Sequence, residues 1–130
     1  MPTNSTHPPV RSFKDLIVWQ RARQLAGAVR TLTDGFSTRG QYVMADQILR
    51  AATSVAGNIA EGRGRLSKAD NVRHLLIARG SLNELVSHLE LAAEFGFVDV
   101  EATRNAHDLT DEVGRMLNAQ IRTLGGRRMK

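Results

Sequence analysis

The chain has 130 residues, with 18 lysines and arginines against 13 acidic residues, and it has no cysteine. This length predicts one domain that can bury a core without cross-links. The lack of cysteine excludes disulfides and thiolate metal sites, and no apolar run approaches the roughly 18 residues of a membrane span. Residues 1–9 are polar and contain all three prolines, unlike a signal peptide. We therefore expect a cytoplasmic protein with no membrane segment.

The chain divides into a predicted disordered lead-in over residues 1–12, a helical domain over 13–124 and a basic tail over 125–130. No proline follows Pro9, so long helices are permitted throughout the domain. The first helix is predicted over about residues 15–34, because apolar residues recur there in alternating steps of four and three. Those residues are Val18, Ala22, Leu25, Val29, Leu32 and Phe36.

The second helix is predicted over about residues 41–61, after a turn marked by Gly35 and Gly40. Its apolar seam is Ala45, Ile48, Ala52, Val55 and Ile59. Small neighbours such as Ala56 and Gly57 would let another helix come close. Gly62 is placed where a C-terminal cap would stand.

The third helix is predicted to begin at Ser67 as N-cap, with Asp70 in the capping-box position, and to end near Gly96. Its seam is Leu75, Ala78, Leu82, Leu85, Leu89 and Ala92. Asp99 is predicted to cap the fourth helix. The apolar positions of that helix are Ala102, Ala106, Leu109, Val113, Met116, Leu117, Ile121 and Leu124.

Four helices joined by short links predict an all-α fold, the antiparallel up-down-up-down four-helix bundle. In this topology the start of the chain, the link between the second and third helices and the end of the chain meet at one end. No strand pattern or internal repeat competes with this interpretation.

Charge is distributed unevenly along the chain. Residues 1–80 carry twelve Lys or Arg against five Asp or Glu, whereas residues 81–114 carry one against eight. The bundle topology collects basic residues from three segments at one end, which predicts a basic pole that binds phosphate backbones. The predicted basic pole consists of Arg11, Lys14, Arg63, Arg65, Lys68, Arg122, Arg127, Arg128 and Lys130. The alternative interpretation is a solvated surface that maintains solubility.

Polar residues also recur at helical spacing beside the seams of the second and third helices. They predict a structural polar network between these helices, made of Arg50, Ser54, Asn58, Glu61, Ser81 and Glu84. A catalytic constellation is the alternative, but the sequence offers no obvious nucleophile–base pair. The four histidines have no metal-ligand spacing and are mostly predicted to lie on the surface. We therefore expect no enzymatic activity, no metal and no cofactor.

Several apolar residues lie outside the seams, namely Ile17, Trp19, Leu76, Ile77 and Leu91. They predict either a broad core face or a second apolar surface for contacts between subunits.

Three segments together resemble a known family. They are residues 13–20 (FKDLIVWQ), 47–62 (QILRAATSVAGNIAEG) and 77–85 (IARGSLNEL). The chain resembles the four-helix bundle proteins encoded in bacterial 23S rRNA intervening sequences, and it is similar to the accessory variability proteins of diversity-generating retroelements. The resemblance covers about residues 13–124, and the family's polar motif residues map onto Asn58, Glu61, Ser81 and Glu84.

The resemblance implies a bacterial protein that forms a ring-like homo-oligomer, a pentamer. The retroelement relatives imply binding of nucleic acid and of a reverse transcriptase through a basic surface. Two functions from different classes therefore remain: an oligomer that binds RNA or DNA or a nucleic-acid-handling partner, and a protein-interaction scaffold with no nucleic-acid contact. Bundles host many functions, so the fold does not choose between them.

Overall fold

The computed structural model describes residues 11–125, and this part of the chain is helical without strands. A short 3-10 helix, Phe13–Asp15, precedes α1 (Ile17–Thr33), α2 (Arg39–Arg63) and α3 (Lys68–Glu94). A second 3-10 helix, Glu101–Thr103, leads into α4 (Arg104–Gly125). Residues 1–10 of the predicted lead-in and residues 126–130 of the predicted tail lie outside the described residues. Ser12 has a structural role, because its side chain accepts a hydrogen bond from the backbone N–H of Lys14 and caps the first 3-10 helix.

The four helices form the predicted antiparallel bundle. Helix α1 packs on α2 and α4, and α3 packs on the same two helices. At one end the α1–α2 link meets the α3–α4 link, where the rings of Phe36 and Phe97 make an edge-to-face contact with centroids 6.0 Å apart. At the other end Leu16, Lys68 and Leu124 line one groove, which shows that three further chain segments converge there.

The core lies mainly on the predicted seams, although Leu32 and Ala45 are only partly buried and Val72, outside the seams, belongs to the core. Each helix contributes fully buried aliphatic side chains, among them Leu25 from α1, Ile59 from α2, Leu85 from α3 and Leu117 from α4. The seam of α4 differs from the prediction at its start. Ala102 is exposed, and Thr103 and Thr110 are buried. The two threonine hydroxyls donate to the carbonyl oxygens of Val100 and His107, at 2.6 and 2.7 Å, so their burial leaves no unpaired hydroxyl.

The helix caps follow the prediction only in part. Ser67 caps α3, since its Oγ accepts a hydrogen bond from the backbone N–H of Asp70 at 3.1 Å. The Asp70 carboxylate pairs with Arg73 instead of closing a capping box. The prediction for Asp99 was wrong: the 3-10 turn precedes α4, and only the backbone carbonyl of Asp99 accepts a bond, from Ala102 N–H.

Gly62 was also predicted wrongly. It lies inside α2, which continues to Arg63, and Gly64 occupies the C-cap with right-handed backbone angles. Gly62 is buried against α3, where an added Cβ would lie 2.7 Å from Asn71 Oδ1 and 3.0 Å from His74 Cβ. The glycine is therefore required for close approach of the two helices and not for a left-handed turn.

Candidate functional site

A groove opens at the end of the bundle where the basic pole was predicted. This basic groove, with a volume of about 460 Å³, lies between the start of α1, the α2–α3 link and the end of α4. Its apolar lining includes Leu16, Ile59, Leu66, Leu75 and Leu124. Its basic lining consists of Arg63, Arg65 and Lys68. Three of the predicted basic residues are thus brought together, around an aliphatic floor.

The charges around the basic groove are only partly neutralised. Arg65 Nη2 lies 2.8 Å from Glu61 Oε2, one helical turn earlier, in an exposed ion pair. Arg63 and Lys68 form no ion pair with any residue of 11–125. These two charges are therefore available for an anionic partner.

The remaining predicted residues of the basic pole are more scattered. Arg11 is exposed before the first 3-10 helix, Lys14 is exposed within it, and Arg122 is exposed on the last turns of α4. None of the three lines the basic groove. Arg127, Arg128 and Lys130 lie outside the described residues. Of the predicted basic pole, only the residues of the α2–α3 link line the basic groove. The other described basic residues lie outside the groove.

The polar network between α2 and α3 forms around three of the six predicted residues. The hydroxyl oxygens of Ser54 and Ser81 are 2.8 Å apart across the two helices. Asn58 Nδ2 donates to the Ser54 carbonyl oxygen and hydroxyl at 2.9 and 3.2 Å. These hydrogen bonds compensate the half-buried polar groups for the contacts with water that they lose at this helix contact.

The network also includes His74, although the histidines were mostly predicted to lie on the surface. Its side chain is buried, and its Nδ1 lies 3.0 Å from Asn58 Oδ1. Arg73 Nη2 lies 3.3 Å from His74 Nε2. If Nε2 accepts a hydrogen bond from Arg73, the hydrogen of the neutral ring lies on Nδ1, whose N–H donates a hydrogen bond to Asn58 Oδ1. The spacing Asn58–His74 crosses from one helix to the next, so no local pattern could have indicated it.

Three predicted members stay outside this network. Glu61 pairs with Arg65, and Glu84 lies one turn from His88, with Glu84 Oε2 and His88 Nε2 3.8 Å apart. Arg50 forms no ion pair with residues 11–125. Arg50 and Glu84 instead line a polar groove of about 520 Å³ beside Ser54. Their side chains face solvent, so the six-residue network was predicted too broadly.

The described residues show no arrangement typical of a metal site or a membrane segment. Within residues 11–125, no three histidine or acidic side chains form a group that could hold a metal ion. In the same range, no helix is both long and apolar enough to cross a bilayer.

His88 Nε2 is buried and has no hydrogen-bond partner among residues 11–125.

The apolar residues outside the seams divide into two groups. Trp19 and Leu76 are partly buried against the core, and the Trp19 ring contacts Phe13 edge to face at 5.0 Å. Ile17, Ile77 and Leu91 remain 48%, 42% and 41% exposed. The broad-core interpretation therefore holds for Trp19 and Leu76, and exposed apolar surface remains at the other three positions.

The fold and the site define a small helical bundle protein with a polar contact between α2 and α3 and a basic groove at one end. The chain belongs to the 23S rRNA-intervening sequence protein family, whose sequence profile matches residues 14–119. This confirms the resemblance to that family, whereas the similarity to the retroelement accessory proteins stays a prediction.

A solved structure supports the same assignment of the fold. The chain is similar to the crystal structure of a protein of unknown function from the S23 ribosomal protein family of Bacteroides thetaiotaomicron. The two chains are 27% identical with a TM-score of 0.75, and the match covers 81% of this chain and 98% of the other. No curated protein is significantly similar to this chain.

Proposed function

We propose that this protein is a non-enzymatic homo-oligomer that binds the backbone of RNA or DNA through its basic pole. The observation that carries the proposal is the convergence of Arg63, Arg65 and Lys68 on one groove. Arginine forks and lysine ammonium groups are the usual partners of phosphate oxygens. No aromatic ring lines the groove, so contacts to the backbone are favoured over base stacking.

Assembly into a ring would strengthen such contacts. The resemblance to the intervening-sequence family suggests a pentamer, and the exposed Ile17, Ile77 and Leu91 offer apolar area for contacts between subunits. An oligomer repeats the basic pole, so several weak phosphate contacts act together on one polynucleotide. A reverse transcriptase, as implied by the similarity to retroelement accessory proteins, is a further partner consistent with this arrangement.

The test replaces Arg63, Arg65 and Lys68 together with glutamine. All three are exposed, so the bundle should remain folded, and removal of the Arg65–Glu61 pair should cost at most about 0.5 kcal/mol. Binding of labelled duplex DNA and single-stranded RNA is followed by fluorescence anisotropy at several salt concentrations. On duplex DNA, the slope of log affinity against log salt should become shallower by about 0.9 for each phosphate that the variant no longer neutralises.

A matched control carries the same change of charge elsewhere. Arg23, Arg39 and Arg115 are exposed and lie outside the basic groove, so their replacement with glutamine should leave the slope unchanged. Equally weakened binding in both triple variants would mean that net charge alone attracts the polynucleotide. Absence of any salt-dependent binding by the assembled wild-type protein would contradict the proposal.

A protein-interaction scaffold is the second candidate. It is favoured by a largely apolar groove of about 660 Å³ at the other end of the bundle, lined in part by Val43, Leu91, Phe95 and Phe97. Val43 and Phe95 are each 56% exposed. A partner that buries this surface would explain exposed aromatic and aliphatic groups without any nucleic-acid contact.

A further inference from the structure

The link between α2 and α3 presents an apolar side chain to solvent. Leu66 has a relative exposure of 106%, the highest among the exposed large apolar residues of the described chain. It stands between Arg63 and Lys68, whose charges have no ion-pair partner within residues 11–125. This segment, residues 63–68, is here named the basic loop. It combines a protruding leucine with two uncompensated positive charges.

The other end of the bundle carries a complementary cavity. This acidic groove, of about 460 Å³, lies between the end of α3 and the start of α4. Ala93, Val100 and Thr103 provide its less polar lining, and Val100 is 70% exposed. Its acidic lining residues are Glu90, Glu94 and Asp108.

The charges of the acidic groove are also largely uncompensated. Within the described part of the chain, Glu90, Glu94 and Asp108 form no ion pair. Arg104, which also lines the groove, is paired with Glu101 at 2.9 Å. The groove therefore presents net negative charge around a partly apolar floor, opposite in sign to the basic loop.

We propose that the basic loop of one copy docks in the acidic groove of a second copy. The two features cannot meet within one chain, because Lys68 and Glu94 are the first and last residues of α3 and lie about 40 Å apart along its axis. In the docked pair Leu66 is shielded from water against Val100, while Arg63 and Lys68 approach the carboxylates of the groove.

This contact is heterologous, since each copy offers one loop and one groove. It therefore leaves a free loop and a free groove after each addition, and copies can associate head to tail. It also uses the same basic residues as the proposed nucleic-acid contact, so a polynucleotide should compete with self-association. The inference goes beyond the proposed function and stands without it.

The test reverses one charge on each side, in the full-length chain. Lys68→Glu places an acid in the first turn of α3, and Glu94→Lys places a base in its last turn. Both changes suit the helix macrodipole, so neither variant should be destabilised. Sedimentation velocity should show concentration-dependent growth of wild-type particles at low salt that disappears at high salt. Each single variant should associate about tenfold more weakly, because one attraction is replaced by one repulsion.

Mixing the two variants gives the decisive result. Lys68→Glu keeps the acidic groove and Glu94→Lys keeps the basic loop, so the wild-type contact forms between the two variants. The loop of Lys68→Glu and the groove of Glu94→Lys are also opposite in charge at the exchanged positions, so an equimolar mixture should regain head-to-tail growth in which the two variants alternate. The double variant, with both charges exchanged, should recover head-to-tail growth. Leu66→Ser should weaken association without changing net charge.

The control is Asp111→Lys, which makes the same charge change as Glu94→Lys at an exposed position of α4 outside the acidic groove. This variant should associate like the wild type. Particle growth beyond the closed ring that resists high salt, or that survives in both single variants, would overturn the proposal. A wild-type protein with no concentration-dependent growth at low salt would overturn it as well.

Discussion

Replacement of Gly62 with alanine tests the close packing between α2 and α3. Gly62 is buried in α2, and a Cβ there would stand 3.0 Å from His74 Cβ and 3.1 Å from the backbone oxygen of Asn71. The Asn71 side-chain oxygen, at 2.7 Å, could rotate away, but the backbone oxygen can move only if the helices separate. The added methyl group should therefore push apart the two most extensively packed helices of the bundle.

Two opposing effects set the size of the change. Alanine is favoured over glycine in a helix interior by about 0.8–1 kcal/mol. Forcing an extra methyl group into packed space costs about 1–3 kcal/mol. Because backbone atoms oppose the methyl group here, we expect a cost at the upper end and a net destabilisation of about 2 kcal/mol. For a domain of this size that corresponds to a melting temperature lower by roughly 8 °C.

Gly57 gives a matched control in the same helix. It is exposed, and no atom lies within 4 Å of its virtual Cβ, so Gly57→Ala should benefit from helix propensity alone. The expected stabilisation is about 0.8 kcal/mol, or roughly 3 °C. Thermal unfolding followed by far-ultraviolet circular dichroism measures both variants. A Gly62→Ala variant as stable as the wild type, or more stable, would refute the packing argument.

Two further predictions concern the polar network and the core. Asn58→Ala should lower the free energy of unfolding by about 1–3 kcal/mol, because the buried His74 Nδ1–H is then left without an acceptor. As a control, Asn83→Ala on the exposed face of α3 should change the free energy of unfolding by less than about 0.5 kcal/mol. Leu85→Ala should cost about 2–5 kcal/mol, since this side chain is fully buried, and Leu66→Ala should have almost no effect. Urea denaturation measures all four variants, and similar destabilisation within either pair would contradict the assigned burial.

The sequence by itself determined the helices and the faces that they bury. The seam of α2 could be read from alternating steps of three and four, because residues at that spacing share one side of any α-helix. Ser67 was likewise identified as the N-cap of α3, since its bond to the N–H of Asp70 spans only three residues. Short links then required antiparallel neighbours, so the bundle followed from local information alone.

Only the tertiary structure decided which polar groups meet and which charges remain free. Ser54 and Ser81 belong to the same predicted polar network as Arg50 and Glu84. The two hydroxyl groups are in contact, yet Arg50 and Glu84 are exposed and line a polar groove. Helical spacing fixes the face on which a residue lies, but a hydrogen bond depends on the rotation and separation of two helices to within about 0.5 Å. Gly62 shows the same limit. Its sequence context resembles a helix end, and only the closeness of α3 explains why the position lacks a side chain.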